Sequence, residues 1–471
     1  MEPRPVIGLE LHVKLATRTK LFCSDPNSYE ESEPNTNVCP ICMGFPGSKP
    51  SLNKRAVELA LIACLALNCS INKRFAFARK VYFYPDLSKN FQITQYEIPI
   101  GKDGYIDVEG RRIRIRRVQI EEDPAKTEHV GGDITSAHYI LLDYNRAGTP
   151  LIEIVTEPDI ASPQEARKVI NVIASMLDHI GVFEWEREAS LRVDANVSLE
   201  GGNRVEVKNI TGAYNVEKAL SYEIARQKAL VQAGKAVERE TRHFDELRKA
   251  TIGLRTKETE EDYGYIFEPD LAFFEITEEM IEKAKPVLEE VPSKKIVRLA
   301  EEYGITKDQA GMIVFEGKHL TEFFEECAKE YENKDRLAKW VVGDLLKCLN
   351  WNGIKINESK VSKEGFLELL KLIDSGVITE RAAKEVIKEY VPTGRSPEEI
   401  VREKKYEKIE SEEETRKIVD EVIKENMKAY EDYAKGNKEA LAFLIGKAIE
   451  KTNNRVDPKL VKKLIEARVA Q

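Results

Sequence analysis

The sequence predicts an α+β fold: a large, mostly antiparallel β-sheet cradle with flanking helices, then an all-helical domain and a small helical tail domain. Three observations carry this reading. The first is a set of period-two rows, the longest being Ser190-Leu191-Arg192-Val193-Asp194-Ala195-Asn196-Val197-Ser198. Strict apolar/polar alternation of that length reads as a half-buried strand. The second is a change of texture near residue 291, from a β-rich stretch holding most of the glycine and proline to short helical periods of Glu, Lys, Leu and Ile. The third is a shift near residue 405, where an acidic run from Glu407 to Glu425 gives way to basic sequence from Lys435 onward. These shifts divide the chain into 1–290, 291–405 and 406–471.

In chain order, Val6–Val13 places Leu9, Leu11 and Val13 on one face of a strand and Glu10 and His12 on the other, about 6.6 Å apart along the strand. A metal ion could sit between those two side-chain tips. Cys23, Cys39 and Cys42 form C-x15-C-P-I-C, a knuckle with zinc-ligand spacing. The fourth thiolate of a closed site is missing; Ser24 and Asp25 stand near Cys23, so Asp25, a histidine or a water would have to complete it. Cys64, Cys69, Cys327 and Cys348 sit in apolar helical contexts and read as core. Val118–Asp123 alternates into three acidic residues, and Leu151–Glu157 embeds Glu153 in an apolar run, where a carboxylate is costly unless paired or metal-bound. Arg204–Asn209 lines up Arg204, Glu206 and Lys208 on one face. A helix follows Asn215 through Val216, Leu220, Ile224 and Leu230 and stops before Gly234. Thr393–Pro397 reads as a loop, and Asp457-Pro458 as the N-cap and first residue of a last helix carrying Val461, Leu464 and Ile465.

Any one of these polar rows could be a solvated sheet face. Five strands presenting carboxylate, His, Arg or Lys point instead to the floor of an active site. Several carboxylates with one histidine suit a hard divalent cation such as Mg²⁺, with room for water and phosphate oxygens. The chain of 471 residues, net charge −9, has no N-terminal apolar signal segment and no run long enough to span a membrane. Seven cysteines, an odd number, fit a reduced cytoplasmic setting. There is no phosphate-binding Gly-rich loop, no dinucleotide fingerprint, no protein-kinase motif set and no recognisable Ser or Cys nucleophile arrangement. A nucleotide would therefore be held through metal-bound phosphates on a sheet. The lysines and arginines from Lys435 to Lys463 suit an RNA backbone, or equally an ordinary solvated helical surface.

Longer stretches carry a resemblance. VIGLELHVKL, TKLFC, EPNTNVCPICMGFPG, FARKVYFYPDLSKNFQITQ, EED-x-x-K, DYNRAGTPLIEIVTEPD, SLRVDANVS, EVKN, ETRHFD, DY-x-Y and EPDL run in order from residue 6 to 271, and KGNKEALAFLIGKAIEKTNNRVDP follows in the tail. The chain thus resembles the B subunits of the tRNA-dependent aspartyl/glutamyl-tRNA amidotransferases over essentially its whole length. The resemblance implies transfer of the γ-phosphate of ATP to the side-chain carboxylate of Glu or Asp mischarged on tRNA(Gln) or tRNA(Asn). Ammonia from an amidase-type A subunit (the glutaminase) would then displace the phosphate, and a small C subunit would complete the complex. On that footing Glu10, His12, Glu122, Glu153 and Glu206 are the expected Mg²⁺ ligands, with Glu121 and Asp123 near-equals of Glu122. Lys208, Arg192 and Lys80 would pair with phosphate or the substrate carboxylate. Asp194, Asn196, Asn145 and Tyr82 would orient the aminoacyl end, and Glu121 or Glu122 would take a proton from arriving ammonium. A non-catalytic tRNA-binding scaffold and a metal-dependent hydrolase of nucleotide or RNA are the competing expectations. The chain departs from the family pattern at Gln119 (usually His), Pro124-Ala125 (usually Ala-Gly), Ala189 (usually Gly), Val193 (usually Cys) and Gly264 (usually Arg).

Overall fold

The computed structural model describes residues 3–30, 32–131, 137–185, 187, 190–256, 264–409 and 411–469. Ala189, and Asp262 and Tyr263 of the DY-x-Y stretch, lie outside the described residues. The chain forms two compact units, 1–295 and 296–471.

In the first unit the strands are, in order, β1 (Pro5–Lys14), β2 (Ser70–Ile71), β3 (Arg74–Phe75), β4 (Ala78–Val81), β5 (Phe91–Thr94), β6 (Gly101–Val108), β7 (Arg111–Glu122) and β8 (Lys126–Val130). They continue with β9 (Tyr139–Asp143), β10 (Pro150–Thr156), β11 (Leu191–Leu199), β12 (Val205–Thr211), β13 (Glu240–Asp245), β14 (Ala250–Thr256), β15 (Gly264–Phe267) and β16 (Phe274–Glu275). Nine of them make one sheet in the order β14-β13-β12-β11-β1-β10-β7-β6-β2. Every pairing in it is antiparallel except β12 with β13. The expected α+β fold with its mostly antiparallel sheet is what the chain adopts.

Alternation works as the sequence implied. Leu9, Leu11 and Val13 of β1, Ile152 and Ile154 of β10, and Val193, Ala195 and Val197 of β11 are all buried on one face. That apolar face shares a single core with helices α1 (Lys54–Ala66), α2 (Pro163–His179) and α3 (Ala213–Gln232). Asn53 caps α1 by accepting from the Arg55 and Ala56 amides, and Ser162 with Pro163 starts α2. Helix α3 begins at Ala213, three residues before the Val216 start read from sequence. Gly212 precedes it at φ 83°, a conformation that favours glycine over a side-chain cap. Where β6 meets α1 and the turn that follows it the approach is very close: a Cβ on Gly101 would lie 2.6 Å from Cys64 Sγ of the helix, and one on Gly104 would lie 2.5 Å from Cys69 Sγ of the turn.

A second, three-stranded sheet, β15-β4-β5, stands beside the polar face of the large one. Its rungs align Ala78 with Thr94 and Phe267, and Lys80 with Gln92 and Tyr265. Residues directly opposite in a ladder share a face, and Thr94 Oγ1 donates to Glu121 Oε2 at 3.1 Å. That face therefore looks onto the acidic end of the main sheet.

In the second unit every segment from 296 to 469 that is regular is helical among the described residues. Two apolar clusters form there, one from Leu299 to Val401 and one from Ile409 to Ile465. Thr306, Ser362, Thr379, Ser396, Ser411 and Asn437 each cap a helix with a side-chain oxygen. The 393–397 loop is shorter than the sequence suggested: the helix Glu380–Thr393 ends on left-handed Gly394, and Ser396-Pro397 opens the next. Asp457 Oδ1 accepts from the Lys459 amide at 2.9 Å, and Val461, Leu464 and Ile465 are buried.

Candidate active site

The polar face of the nine-stranded sheet carries a continuous lattice of ionisable side chains. One rung aligns Gln119 of β7, Glu153 of β10, His12 of β1 and Arg192 of β11. Two residues along β1, Glu10 faces Asp194. One step further, Asn196 pairs with Glu206 of β12, and Glu206 with Thr241 of β13. Although this face alternates outward, Asp194, Asn196, Glu153, Glu121 and Glu206 are all less than a tenth exposed.

Two clusters form on it. His12, Glu121 and Glu153 bring one ligand atom each within 4.8 Å of one another, and so do Glu10, Asp194 and Glu206. In the first, His12 Nε2 lies 3.6 Å from Glu121 Oε1 and 4.0 Å from Glu153 Oε2. Gln119 Nε2 donates to Glu153 Oε2 at 2.8 Å. In the second, Asn196 Nδ2 donates to Glu10 Oε1 at 2.8 Å, and Thr241 Oγ1 to Glu206 Oε2 at 3.3 Å.

A β-bulge aims the cation of the second cluster. Pairing of β11 with β12 shifts between Val193 and Ala195, so that Lys208 and Asn209 both lie opposite Asp194. Asn209 takes the left-handed conformation (φ 55°), and its amide donates to Asp194 Oδ1 at 2.7 Å. Lys208 Nζ is thereby held 3.6 Å from Asp194 Oδ2 and 3.9 Å from Glu206 Oε2.

The electrostatics are those of carboxylates crowded out of water. Burial, then the charges of Glu153, Asp194 and Glu206, push the Glu10 carboxyl above the usual carboxylate range. Burial and Glu121 do the same to Glu153. Burial also works against ionisation of Asp194, but Lys208, His12 and the Asn209 amide outweigh it and hold that carboxyl low. For His12 burial favours the neutral ring, yet Glu121, Asp194 and Glu153 together raise its pKa. The crowded negative charge thus favours proton uptake at Glu10, Glu153 and His12, and a divalent cation would relieve the same repulsion.

The structure separates the three neighbouring acids at the end of β7. Glu121 joins His12 and Glu153. Glu122, expected as a Mg²⁺ ligand, has the opposite strand parity: its carboxylate accepts from Lys89 Nζ at 2.5 and 2.6 Å and from the Ile93 amide at 2.9 Å. Asp123 lies beyond the strand, accepting from Arg192 at 2.6 Å with Arg146 3.7 Å away. Of the expected ligands, Glu10, His12, Glu153 and Glu206 are brought together, with Glu121 and Asp194 completing the two groups.

Other expected contacts also divide. Lys80 lies on the face of β4 turned to the clusters, where its charge acts on Glu153, and Tyr82 presents its ring 5.7 Å from Lys80 Nζ. Arg192 donates from Nη2 to Asp123 Oδ1 at 2.6 Å. Asn145, fully buried, accepts from the Asn37 amide at 2.7 Å and donates to the Glu33 carbonyl at 2.7 Å; it fastens the 33–37 loop instead of offering its amide to a substrate. Thr94, Gln119, Thr241 and Lys89 were not read as site residues. Their signal in sequence is weak: Thr94, Gln119 and Thr241 are uncharged polar residues in strands, which are common, and Lys89 is a single lysine in the loop before β5.

The cysteine knuckle closes with an aspartate. Cys23, Asp25, Cys39 and Cys42 bring one ligand atom each within 4.8 Å of one another. The hydrogen bond from Cys23, the Cys39 amide and the Lys20 ammonium draw the Cys42 thiol down to about 6 against its burial, while the same Cys23–Cys42 contact and burial push Cys23 up. Three thiols and a carboxylate within ligand distance of one another are residues that could hold a cation such as zinc.

Comparison with known proteins gives the family. Residues 5–282 match the GatB/GatE catalytic domain, and residues 322–469 match the GatB domain. The chain belongs to the GatB family. It is 47% identical over 98% of both chains to the B subunit of the aspartyl/glutamyl-tRNA(Asn/Gln) amidotransferase of Sulfurisphaera tokodaii. It is 45% identical over 98% of both chains to the protein of that name from Sulfolobus acidocaldarius. The Thermotoga maritima protein of the same name is 43% identical over 99% of both. The catalytic match ends beyond β16, so both carboxylate clusters and the knuckle fall within it.

Proposed function

We propose that this chain is the B subunit of a tRNA-dependent amidotransferase. It would phosphorylate the side-chain carboxylate of Glu on tRNA(Gln), of Asp on tRNA(Asn), or of both, with ATP, and direct ammonia onto the acyl phosphate to give the amide and inorganic phosphate. The observation that carries this is a match along the whole chain to proteins of that name, joined to two carboxylate clusters on one sheet face.

The geometry suits phosphoryl transfer to a carboxylate, whose attacking oxygen is already ionised at neutral pH and needs no strong base. Glu10, Asp194 and Glu206, and beside them His12, Glu121 and Glu153, would hold Mg²⁺. Bound there, the metal would neutralise charge on the transferring phosphoryl group. Lys208, fixed by the bulge at Asn209, and Lys80 on the facing strand supply the positive charge that orients phosphate oxygens. Glu121, hydrogen-bonded by Thr94 and next to His12, is placed to accept a proton from ammonium. Cys23, Asp25, Cys39 and Cys42 would hold zinc and tie the 23–42 loop. Residues 1–290 serve as the catalytic cradle, 291–405 as a helical linker, and 406–471, with its lysines, as the tRNA-binding tail. The partners are an amidase-type A subunit and a small C subunit in the cytoplasm. No described helix is long and apolar enough to cross a membrane.

The test is ADP release by the complex with its A and C partners, given ATP, Mg²⁺ and ammonium, with Glu-tRNA(Gln), Asp-tRNA(Asn) and the correctly charged tRNAs compared. Turnover with a mischarged tRNA alone is expected and names the substrate. Turnover indifferent to the aminoacyl group would mean a hydrolase, and none at all a scaffold.

A further inference from the structure

Behind the second cluster, on the helix side of the sheet, lies a group of charges that the reaction does not use. Glu223 of α3 is fully buried. One of its oxygens accepts from Arg226 Nη2 at 2.7 Å and from Gln227 Nε2 at 2.9 Å. The other accepts from Arg226 Nε and from Thr251 Oγ1, both at 2.9 Å. Arg242 of β13 has its Nε 3.4 Å from Glu223 and donates to the Thr251 hydroxyl at 2.9 Å and carbonyl at 2.8 Å. Glu240, on the same face of β13, accepts from Arg242 at 3.0 Å and from Arg226 at 2.7 Å. Gln227 also donates to the Val197 carbonyl of β11 at 3.3 Å. One network thus ties α3 to β11, β13 and β14.

We propose that Glu223 is a positioning residue for the cluster of Glu10, Asp194 and Glu206. With Arg226, Glu240, Arg242 and Thr251 it sets how far β13 slides along β12, and so keeps Thr241 on Glu206. This rests on the metal-binding reading above. Buried ion pairs often stabilise no better than apolar residues of the same volume; what they can add is a single geometry. Strand β13 needs that. It joins the sheet by the one parallel pairing, over Glu206–Lys208 and Thr241–His243. Among the described residues of β13 and β14, Phe244 is the one member of the apolar core. A single apolar residue fixes which face turns inward but not the slide. A two-residue slip would keep Phe244 inward and bring His243, in place of Thr241, opposite Glu206. The charges on Glu240 and Arg242 have partners in the observed register and would lose them on slipping.

The experiment uses the complex with its A and C partners and reads metal binding directly, as loss of the free Mn²⁺ signal in electron paramagnetic resonance. Glu223→Gln keeps the shape and removes the charge. It is expected to raise the dissociation constant of the Mn²⁺ that Glu206→Gln releases about tenfold, the lower end of what a lost partner of a metal ligand carries. Thr251→Val, a milder change in the same group, should move it in the same direction. Neither should add to the shift in a Thr241→Val background, because all act through one contact. Hydrogen exchange in Glu223→Gln should quicken over 205–211 and 240–245 and stay slow over 150–156. An unchanged Mn²⁺ constant in both variants, full additivity with Thr241→Val, or exchange quickened evenly over the sheet would overturn the proposal. A wild-type complex whose Mn²⁺ binding is indifferent to Glu206→Gln would instead overturn the metal reading, which keeps the two failures apart.

Discussion

Asn196 separates a residue that touches substrate from one that positions a metal ligand. Sequence placed it at the aminoacyl end; in the structure its amide Nδ2 donates to Glu10 Oε1 at 2.8 Å, at a position 8% exposed. A hydrogen bond to a buried charged group contributes about 1.5–3 kcal/mol, and side chains that hydrogen-bond a metal's ligands typically carry about 10–100-fold in metal affinity. The two estimates agree, since about 1.4 kcal/mol is tenfold in an equilibrium constant. Asn196→Ala should therefore raise the Mg²⁺ concentration for half-maximal ADP release about 10–100-fold. KM for the mischarged tRNA should not change, and saturating Mg²⁺ should restore most of kcat.

The assay is a Mg²⁺ titration of ADP release at fixed, saturating ATP and mischarged tRNA, with KM for tRNA then measured at saturating Mg²⁺. An unchanged Mg²⁺ midpoint with a raised KM for tRNA would refute the reasoning and return Asn196 to the substrate. Thr241→Val, which removes the 3.3 Å hydrogen bond to Glu206, is the matching control on the next strand. It should shift the same midpoint in the same direction.

Other consequences follow from the same geometry. Glu122→Gln leaves the Lys89 ammonium without its buried partner and should cost about 3–5 kcal/mol of stability, read as a lowered unfolding midpoint, with no change in Mg²⁺ requirement; a shifted Mg²⁺ midpoint would restore Glu122 to the metal. Removing 408–471 should weaken tRNA affinity and flatten its dependence on salt, while leaving Mg²⁺ binding in place. Cys42→Ser should remove one equivalent of zinc from the purified complex by metal analysis, and undiminished zinc would place the metal elsewhere. Glu30 is opposed by burial, but hydrogen bonds from Lys14 and Arg187 hold its pKa below 4.5. Its contribution to stability is present above about 4.5 and is lost as pH falls through the lower folded value, so Glu30→Gln should flatten the acid limb of a stability–pH curve.

Most of the fold was legible because one face of the main sheet is apolar and must be buried. Leu9, Leu11 and Val13 could not alternate against Glu10 and His12 in any other regular conformation, and a one-residue slip would have put Glu10 in the core. What was not legible depends on partners far along the chain. Glu121, Glu122 and Asp123 are alike in type and adjacent in sequence. Only the point where β7 ends, and the presence of Lys89 and Ile93 on one side and His12 on the other, sorts them into a member of the His12–Glu153 cluster, an ion pair and a brace. Asn145 shows the same limit in reverse. It lies within a distinctive stretch, yet its amide serves the backbone of residues 33 and 37, about a hundred positions away in the chain.

The bulge at Asn209 explains why the alternating row had to break where it did. Val205, Val207 and Ile210 are buried, so parity changes between Val207 and Ile210 and one extra residue must be absorbed. Placing it opposite Asp194 gives that carboxylate a backbone donor and brings Lys208 to it without moving Glu206, whose register with Asn196 and Thr241 is kept. An unbulged strand would offer either the lysine or the amide at that point, not both. Because Glu10 and His12 are two residues apart on β1, both clusters are held by one central strand flanked on each side by hydrogen-bonded neighbours. A displacement of β1 would disturb both clusters together, so substitutions under β1 that loosen its packing should impair binding at the two clusters in parallel.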